Sequence, residues 1–282
     1  MTASIHWGVD SAAPVTTKIH VPGRKPVTLF DFVVDKLKRT PDFWGRYVGG
    51  RYQMTADEVD YIFTRSKGAC RILVVYNGAH DSGSSVRGNF DAGVRDARKA
   101  ITAASGVGVP PGVMIWGDVE GAWQPSAQWF LGWWDAMFKS SYAGMGGIYC
   151  RPNAPQFHKP YFEAMTKSVP QEQLDHLLDP FARKPKDQIV TVVFPDPPCR
   201  ARLLWGTRPQ KGDWSTPSTD AFAFAPSEPP QLPGRVALWQ YRIDFLKRSS
   251  GDAYGLIDMD LADQRAYDLM WKGKAGGAAV GA

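Results

Sequence analysis

The stretch Val113-Met114-Ile115-Trp116-Gly117-Asp118-Val119-Glu120 carries an apolar run straight into two carboxylates at alternate positions. Alternate side chains of a strand share a face. Asp118 and Glu120 therefore point the same way, with Cα atoms roughly 6–7 Å apart at a rise of about 3.3 Å per residue. Two acids at the mouth of a buried strand do not both ionise cheaply. Desolvation and mutual repulsion raise the pKa of one and leave a proton donor beside an anion. Glycoside hydrolysis uses such a pair. A D-x-E taken alone is more often a strand end with two solvated acids, so the surrounding chain has to decide.

Upstream, short apolar runs alternate with helical patterns, which argues for parallel βα units. A first strand over 6–11 contains Asp10, and a helix follows over 29–39 with Thr28 as its N-cap. A second strand over 43–48 holds Arg46 and Tyr47 and runs into Gly49-Gly50. Thr55-Ala56-Asp57-Glu58 has the spacing of a capping box and opens a helix to about 66. The third strand, 71–76, is nearly all apolar and ends at Tyr76. The Gly/Ser-rich segment 77–88 reads as a mobile lip, followed by a helix over 89–104. The glycines of 106–112 do not make a phosphate loop. Pro110-Pro111 removes amide donors and no Lys-Ser/Thr follows.

Downstream, Trp123 lies in the loop just past the acids, where stacking on a sugar and packing into the fold suit it equally. A helix over 126–140 gathers Phe130, Trp133, Trp134, Met137 and Phe138 on one face, which reads as core. The fifth strand, 146–150, includes Tyr149 and precedes a helix over 155–167. Twelve of the 22 prolines fall between 168 and 234, so that segment is read as an irregular insertion, with a possible hairpin at 189–194. Strand six follows at 202–206 with Trp205, strand seven at 236–241 with Trp239 and Tyr241, and strand eight at 255–261 with Asp258 and Asp260. A last helix over 262–271 precedes a tail, 273–282, with almost nothing to bury.

These elements specify the α/β class: a single (β/α)8 TIM-like barrel over residues 1–272, interrupted by the Pro-rich insertion. Its length of 282 residues suits a fold that needs about 250. Acids close the first, fourth and eighth strands, and barrel closure makes strands one and eight neighbours. Asp10 and Asp258 then lie side by side, facing Asp118 and Glu120 across one mouth.

The bulk composition narrows the function. A net charge of +5 and a pI near 9.0 favour anionic surroundings such as cell-wall polymers, while the lack of a dense Lys/Arg run argues against nucleic acid. Cys70, Cys150 and Cys199 have neither disulfide-framework nor zinc spacing, and Cys150 reads as a buried thiol. The histidines show no HExxH pattern, and His6 reads as a core residue. No cofactor motif is present, and no metal or cofactor is expected. The N-terminus lacks a signal-peptide pattern and no stretch reaches the ~18 apolar residues of a membrane span. The expectation is a soluble chain made in the cytoplasm that acts at the cell wall or outside. Its export would then use something other than a leader of its own, such as a delivery or secretion machine, or a leader already removed from this sequence.

Several short motifs occur in a shared order: Trp7-Gly8-Val9-Asp10, Gly45-Arg46-Tyr47-Val48-Gly49, Tyr76-Asn77, Asp118-Val119-Glu120, Gly147-Ile148-Tyr149, Leu204-Trp205, Trp239-Gln240-Tyr241 and Ile257-Asp258-Met259-Asp260-Leu261. In that order the chain resembles glycoside hydrolase family 25 lysozymes. It resembles more closely the glycoside-hydrolase-like barrels catalogued as domain of unknown function 1906. The resemblance implies a muramidase that cleaves the β-1,4 link between N-acetylmuramic acid and N-acetylglucosamine in peptidoglycan. It implies Glu120 as general acid/base, and Asp118 as the partner that orients the acetamido group or steadies an oxocarbenium-like transition state. Asp10 and Asp258 are implied as supporting acids, and Tyr47, Tyr149 and Tyr241 as cleft aromatics. Arg46, Tyr76, Trp123, Trp205, Trp239 and Asp260 complete the candidate substrate-binding set. Asp260 departs from the family's usual Asn: it either adds charge near the site or turns to the outer face. Two other readings stand beside the hydrolase, a non-catalytic glycan-binding or structural barrel that keeps the acid cluster, and a metal-dependent hydrolase using Asp10, Asp118 and Asp258.

Overall fold

In the computed structural model of the chain, residues 5–20, 23–120, 122–144, 146–151, 154–166, 204–207, 236–242 and 257–273 are described. Eight strands close into a barrel: β1 (Ile5–Asp10), β2 (Phe43–Val48), β3 (Arg71–Tyr76), β4 (Ile115–Asp118), β5 (Gly147–Cys150), β6 (Leu204–Thr207), β7 (Val236–Arg242) and β8 (Asp258–Asp263). β1 to β7 pair in parallel in sequence order. β8 runs antiparallel to both β7 and β1 and closes the ring. The alternating βα pattern does not predict that reversal. Its consequence is that the first residues of β8, not the last, lie at the mouth, and Asp10 stands opposite Asp258 in the ladder.

The helices between strands are α1 (Leu29–Leu37), α2 (Ala56–Arg65), α3 (Phe90–Gly106), α4 (Ala127–Phe138) and α5 (Pro155–Thr166), with α6 (Gln264–Asp268) after β8. Five of the six starts have a capping side chain. The side chains of Thr28, Thr55, Asn89, Ser126 and Asp263 each accept a hydrogen bond from a first-turn amide. α6 is shorter than the helix expected over 262–271, because β8 continues to Asp263, which then serves as the cap. The expected capping box at Thr55 is half made. Thr55 Oγ1 accepts from the Glu58 amide, but the Glu58 carboxylate turns away to Arg46.

Two apolar layers follow from the two-residue alternation of the strands. Phe43, Leu73, Val75, Met114, Trp116, Leu238 and Ala262 fill the barrel interior. Val9, Trp44, Ile72, Val74, Ile115, Ile148 and Met259 face outward and pack against helical residues such as Phe30, Ile62, Trp129, Trp133 and Trp134. Trp133 and Trp134 are thus core, as their helical spacing indicates, and Cys150 is buried among them. Gly147 lets the Trp116 ring cross the interior, since a Cβ there would lie 2.2 Å from it. His6 stacks on Tyr267, with ring centroids 3.5 Å apart, and its Nε2 meets Gln264 Oε1 at 2.9 Å.

The segment 77–88, expected to be a mobile lip, is fastened along its length. Ser85 Oγ donates to buried Asp96 at 2.6 Å, Gln124 N to Asp81 at 3.0 Å, and Ser126 N to the Val86 carbonyl at 2.7 Å. No helix among the described residues is long and apolar enough to cross a membrane. Most of the Pro-rich insertion, including the hairpin proposed at 189–194 and Cys199, lies outside the described residues, as does the tail from 274.

Candidate active site

One end of the barrel collects the acids. Asp10 ends β1, Asp118 ends β4 with Glu120 two residues beyond, and Asp258 and Asp260 open β8. All are at positions whose alternation points them inward, in register with Phe43 and Trp116 below them. Asp10, Asp118 and Asp260 are buried, Asp258 is half-buried, and Glu120 is exposed at the rim. Gly45, the β2 partner of Asp10, is what makes room: a Cβ on it would meet the Asp10 Cβ at 2.5 Å.

Hydrogen bonds tie these acids together. Asn77, just past β3, donates through Nδ2 to Asp118 Oδ2 at 2.6 Å, while the buried Asp118 Oδ1 has no partner. Gln240 of β7 donates through Nε2 to Asp10 Oδ2 at 2.9 Å and to Asp258 Oδ2 at 3.1 Å. The hydroxyl of Tyr149 donates to Gln240 Oε1 at 3.0 Å, which turns the amide so that its NH2 faces the acids.

Burial, reinforced by the negative charges of Glu120 and Asp10, pushes the Asp118 carboxyl up to about 8, against the opposing bond from Asn77. The neutral, proton-carrying form of Asp118 is thereby favoured beside the Glu120 carboxyl. Burial also raises Asp10 above the ordinary carboxylate range, opposed by hydrogen bonds to Asp260 and Gln240 and by the charge of Arg46. The Tyr47 phenol is held well above its usual value, first by burial and then by the fields of Asp10, Asp118, Asp258 and Glu120. Tyr149 is raised the same way by burial, Glu120, Asp118 and Asp10. Two phenols and at least four carboxyls thus share one hollow, and exposed Glu120 is within electrostatic reach of its floor.

Of the residues singled out in the sequence, Asp10, Asp118, Glu120, Asp258, Asp260, Tyr47 and Tyr149 are brought together. Asp260 takes the inward alternative. Arg46, Tyr76 and Trp239 are not in the hollow. All three sit on the outward face of their strands, and for each the correction has the same cause, the alternation of the strand. Arg46 is fully buried, with Nε on Glu58 Oε1 at 2.6 Å and Nη2 on Glu58 Oε2 at 3.1 Å, and it also donates to the Ser11 and Tyr52 carbonyls. Tyr76 packs on Trp133 with ring centroids 6.0 Å apart. Trp239 belongs to the outer layer. Trp123 is half-buried against that same layer. The side chains of Trp205 and Tyr241 are outside the described set.

Sequence reading missed Asn77 and Gln240. Both lie one residue from an aromatic chosen instead, Tyr76 and Trp239, and the two-residue period that paired Asp118 with Glu120 would have found them.

The Arg46–Glu58 pair explains an otherwise costly charge inside the wall, and Glu58 Oε1 also accepts from Val15 N at 2.9 Å. Removing one partner leaves the other buried and uncompensated. Arg46→Ala is expected to destabilise the fold by about 3–5 kcal/mol. A thermal melt checks this, and a melting temperature within a degree of wild type would contradict it.

The comparisons with known proteins agree with this architecture. Among solved structures, the fold is similar to an uncharacterized protein of B. stearothermophilus, with a TM-score of 0.63 and 23% identity over 94% of this chain and 100% of that one. Weaker likenesses are to the Tat-secreted protein Rv2525c of Mycobacterium tuberculosis, solved with L-tartrate (TM-score 0.48, 14% identity, 91% of this chain and 95% of that one), and to the modular autolysin LytC of Streptococcus pneumoniae (0.47, 13%, 91% and 46%). No protein of curated function matches the chain significantly. The sequence model of one family covers residues 37–261, most of the barrel, and by that match the chain belongs to the Rv2525c-like, glycoside hydrolase-like domain family.

Proposed function

We propose that this protein is a glycoside hydrolase of cell-wall glycan, cutting the β-1,4 link of N-acetylmuramic acid to N-acetylglucosamine in peptidoglycan. The observation that carries the reading is the pairing of buried Asp118, whose carboxyl is pushed up by burial, with Glu120 at a mouth ringed by Asp10, Asp258, Tyr47 and Tyr149. Family membership supports it.

The free-state proton placement bears on mechanism. Burial favours the protonated form of Asp118 in the free protein. A glycan laid across the mouth removes water from Glu120 and raises its affinity for that proton. Positive charge developing at the anomeric carbon favours the Asp118 anion. Both effects shift the proton to Glu120, which delivers it to the leaving oxygen as the glycosidic C–O bond breaks. Asp118 then steadies the carbon centre or holds the acetamido group against it, and attacking water returns a proton to Glu120.

The exposure of Glu120 is the observation that favours a second reading, a glycan-binding barrel without turnover. The third reading, a metal-dependent hydrolase, needs Asp10, Asp118 and Asp258 to converge on one ion. Among the described residues no group of three or more His, Cys, Asp or Glu side chains is gathered to hold a metal ion. Incubation with purified peptidoglycan separates the first two. New reducing ends, with muropeptide products that change mass, are the expected result. Sedimentation with the polymer and no new ends would establish binding alone.

A further inference from the structure

Asp10 and Asp258 stand directly opposite one another on the antiparallel pair β1 and β8. Two acids so placed repel unless a donor lies between them. Gln240 is that donor. It sits on β7 in register with Asp260, so its side chain reaches across β8 to meet Asp10 of β1. It is 2% exposed. Its Nε2 carries two hydrogens, enough for one to each carboxyl: Asp10 Oδ2 is 2.9 Å away and Asp258 Oδ2 3.1 Å. Its Oε1 accepts from the Tyr149 hydroxyl of β5 at 3.0 Å. Three contacts thus join β5, β7, β8 and β1 across the mouth.

The amide is oriented from both ends. Turned over, its carbonyl would face two carboxyl oxygens, and its NH2 would face a phenol that burial keeps protonated. An amide N–H bonds a carboxyl oxygen whether or not that carboxyl holds a proton, so the link holds for either state of the acids.

We propose that Gln240 is a positioning residue whose amide clamps Asp10 and Asp258 at a fixed separation, and that Tyr149 acts through it by setting which way the amide faces. The Tyr149 hydroxyl then serves the acids, while its ring stays available to a sugar. The bearing of the clamp on turnover rests on the hydrolase reading; the clamp itself does not.

A bond that only holds the fold together would change stability and nothing else. A clamp changes kcat. Tyr149→Phe keeps the ring and removes the orienting donor, so kcat is expected to fall about tenfold while KM stays within about twofold of wild type. Gln240→Leu removes the whole link, and kcat is expected to fall about 10²-fold, the cost of misplacing groups at a reacting centre. Adding Tyr149→Phe to Gln240→Leu should lower kcat no further, because the hydroxyl has lost the group it acts through. A rise in KM alone for Tyr149→Phe, or losses that multiply in the double variant, would make the hydroxyl a direct substrate contact and overturn the proposal.

Nuclear magnetic resonance of protein labelled with ¹⁵N-glutamine tests the clamp without substrate. The Gln240 side-chain NH2 is assigned by its disappearance in Gln240→Leu or, should that variant not fold, by its Overhauser contact to the Tyr149 ring. Both protons are expected to be protected from exchange with water in wild type, and to exchange about tenfold faster or more in Tyr149→Phe. An NH2 that exchanges in wild type like an exposed glutamine, or one that Tyr149→Phe leaves unchanged, overturns the proposal. Failure of wild type to cleave peptidoglycan would bear on the hydrolase reading and leave this exchange result standing.

Discussion

Glu120→Gln is expected to lower cleavage of purified peptidoglycan by about 10²- to 10⁴-fold, the range that a positioned general acid/base contributes. It is expected to leave the melting temperature near that of wild type. Both halves follow from where Glu120 sits. It is exposed at the rim, so a neutral isostere costs the fold little, yet its charge reaches Asp118, Tyr47 and Tyr149. Release of reducing ends, with a parallel thermal melt, checks the two together. A variant that cleaves at the wild-type rate removes Glu120 from the chemistry. A variant that loses both activity and ten degrees of melting temperature makes its role structural.

Asp118→Asn carries the largest effect on pH dependence. The wild-type carboxyl rises to about 8 on folding, through burial and the charges of Glu120 and Asp10, from an ordinary value of 3.8. The folded state therefore binds a proton that the unfolded state has released across that window. By linkage, stability is fully present below the ordinary value and falls as pH rises through the folded one. The limiting slope is about 1.4 kcal/mol per pH unit. Asparagine cannot ionise, and its carbonyl can still accept from Asn77, which sits 2.6 Å from Asp118 Oδ2. The variant should match wild type near pH 4 and be the more stable protein at pH 8, while losing cleavage because it can neither lend the proton nor become the anion. Melting temperatures at a series of pH values measure the difference. Curves that run parallel from acid to alkaline pH would show that Asp118 is ionised in the folded protein.

Much of the fold was readable because each level of the sequence repeats one signal. Apolar runs such as 71–76 specify strands buried on both faces, side-chain oxygens at Thr28 and Thr55 start two of the helices, and the order of runs and helices specifies a barrel. The reversal of β8 was not readable, since period-two patterning is blind to strand direction and the reversed strand exposes the same alternate residues to the interior. The acids were readable as strand-end carboxyls. The errors at Arg46, Tyr76 and Trp239 have one source: aromatic and basic residue types were weighed above the alternation that decides which face a residue occupies. Arg46 and Glu58 illustrate a further limit. Their pairing joins two elements, and the Thr55-to-Glu58 spacing of a capping box concealed it.

The account depends on the hollow between Asp118, Glu120, Tyr47 and Tyr149 being the place where a sugar ring binds. A crystal structure of Glu120→Gln soaked with a muropeptide fragment addresses that most directly. The predicted result is a pyranose ring over Tyr47 and Tyr149, with a glycosidic oxygen within hydrogen-bond distance of the side chain at position 120 and the acetamido group beside Asp118. A fragment bound elsewhere on the barrel, with this hollow holding only water, would contradict it.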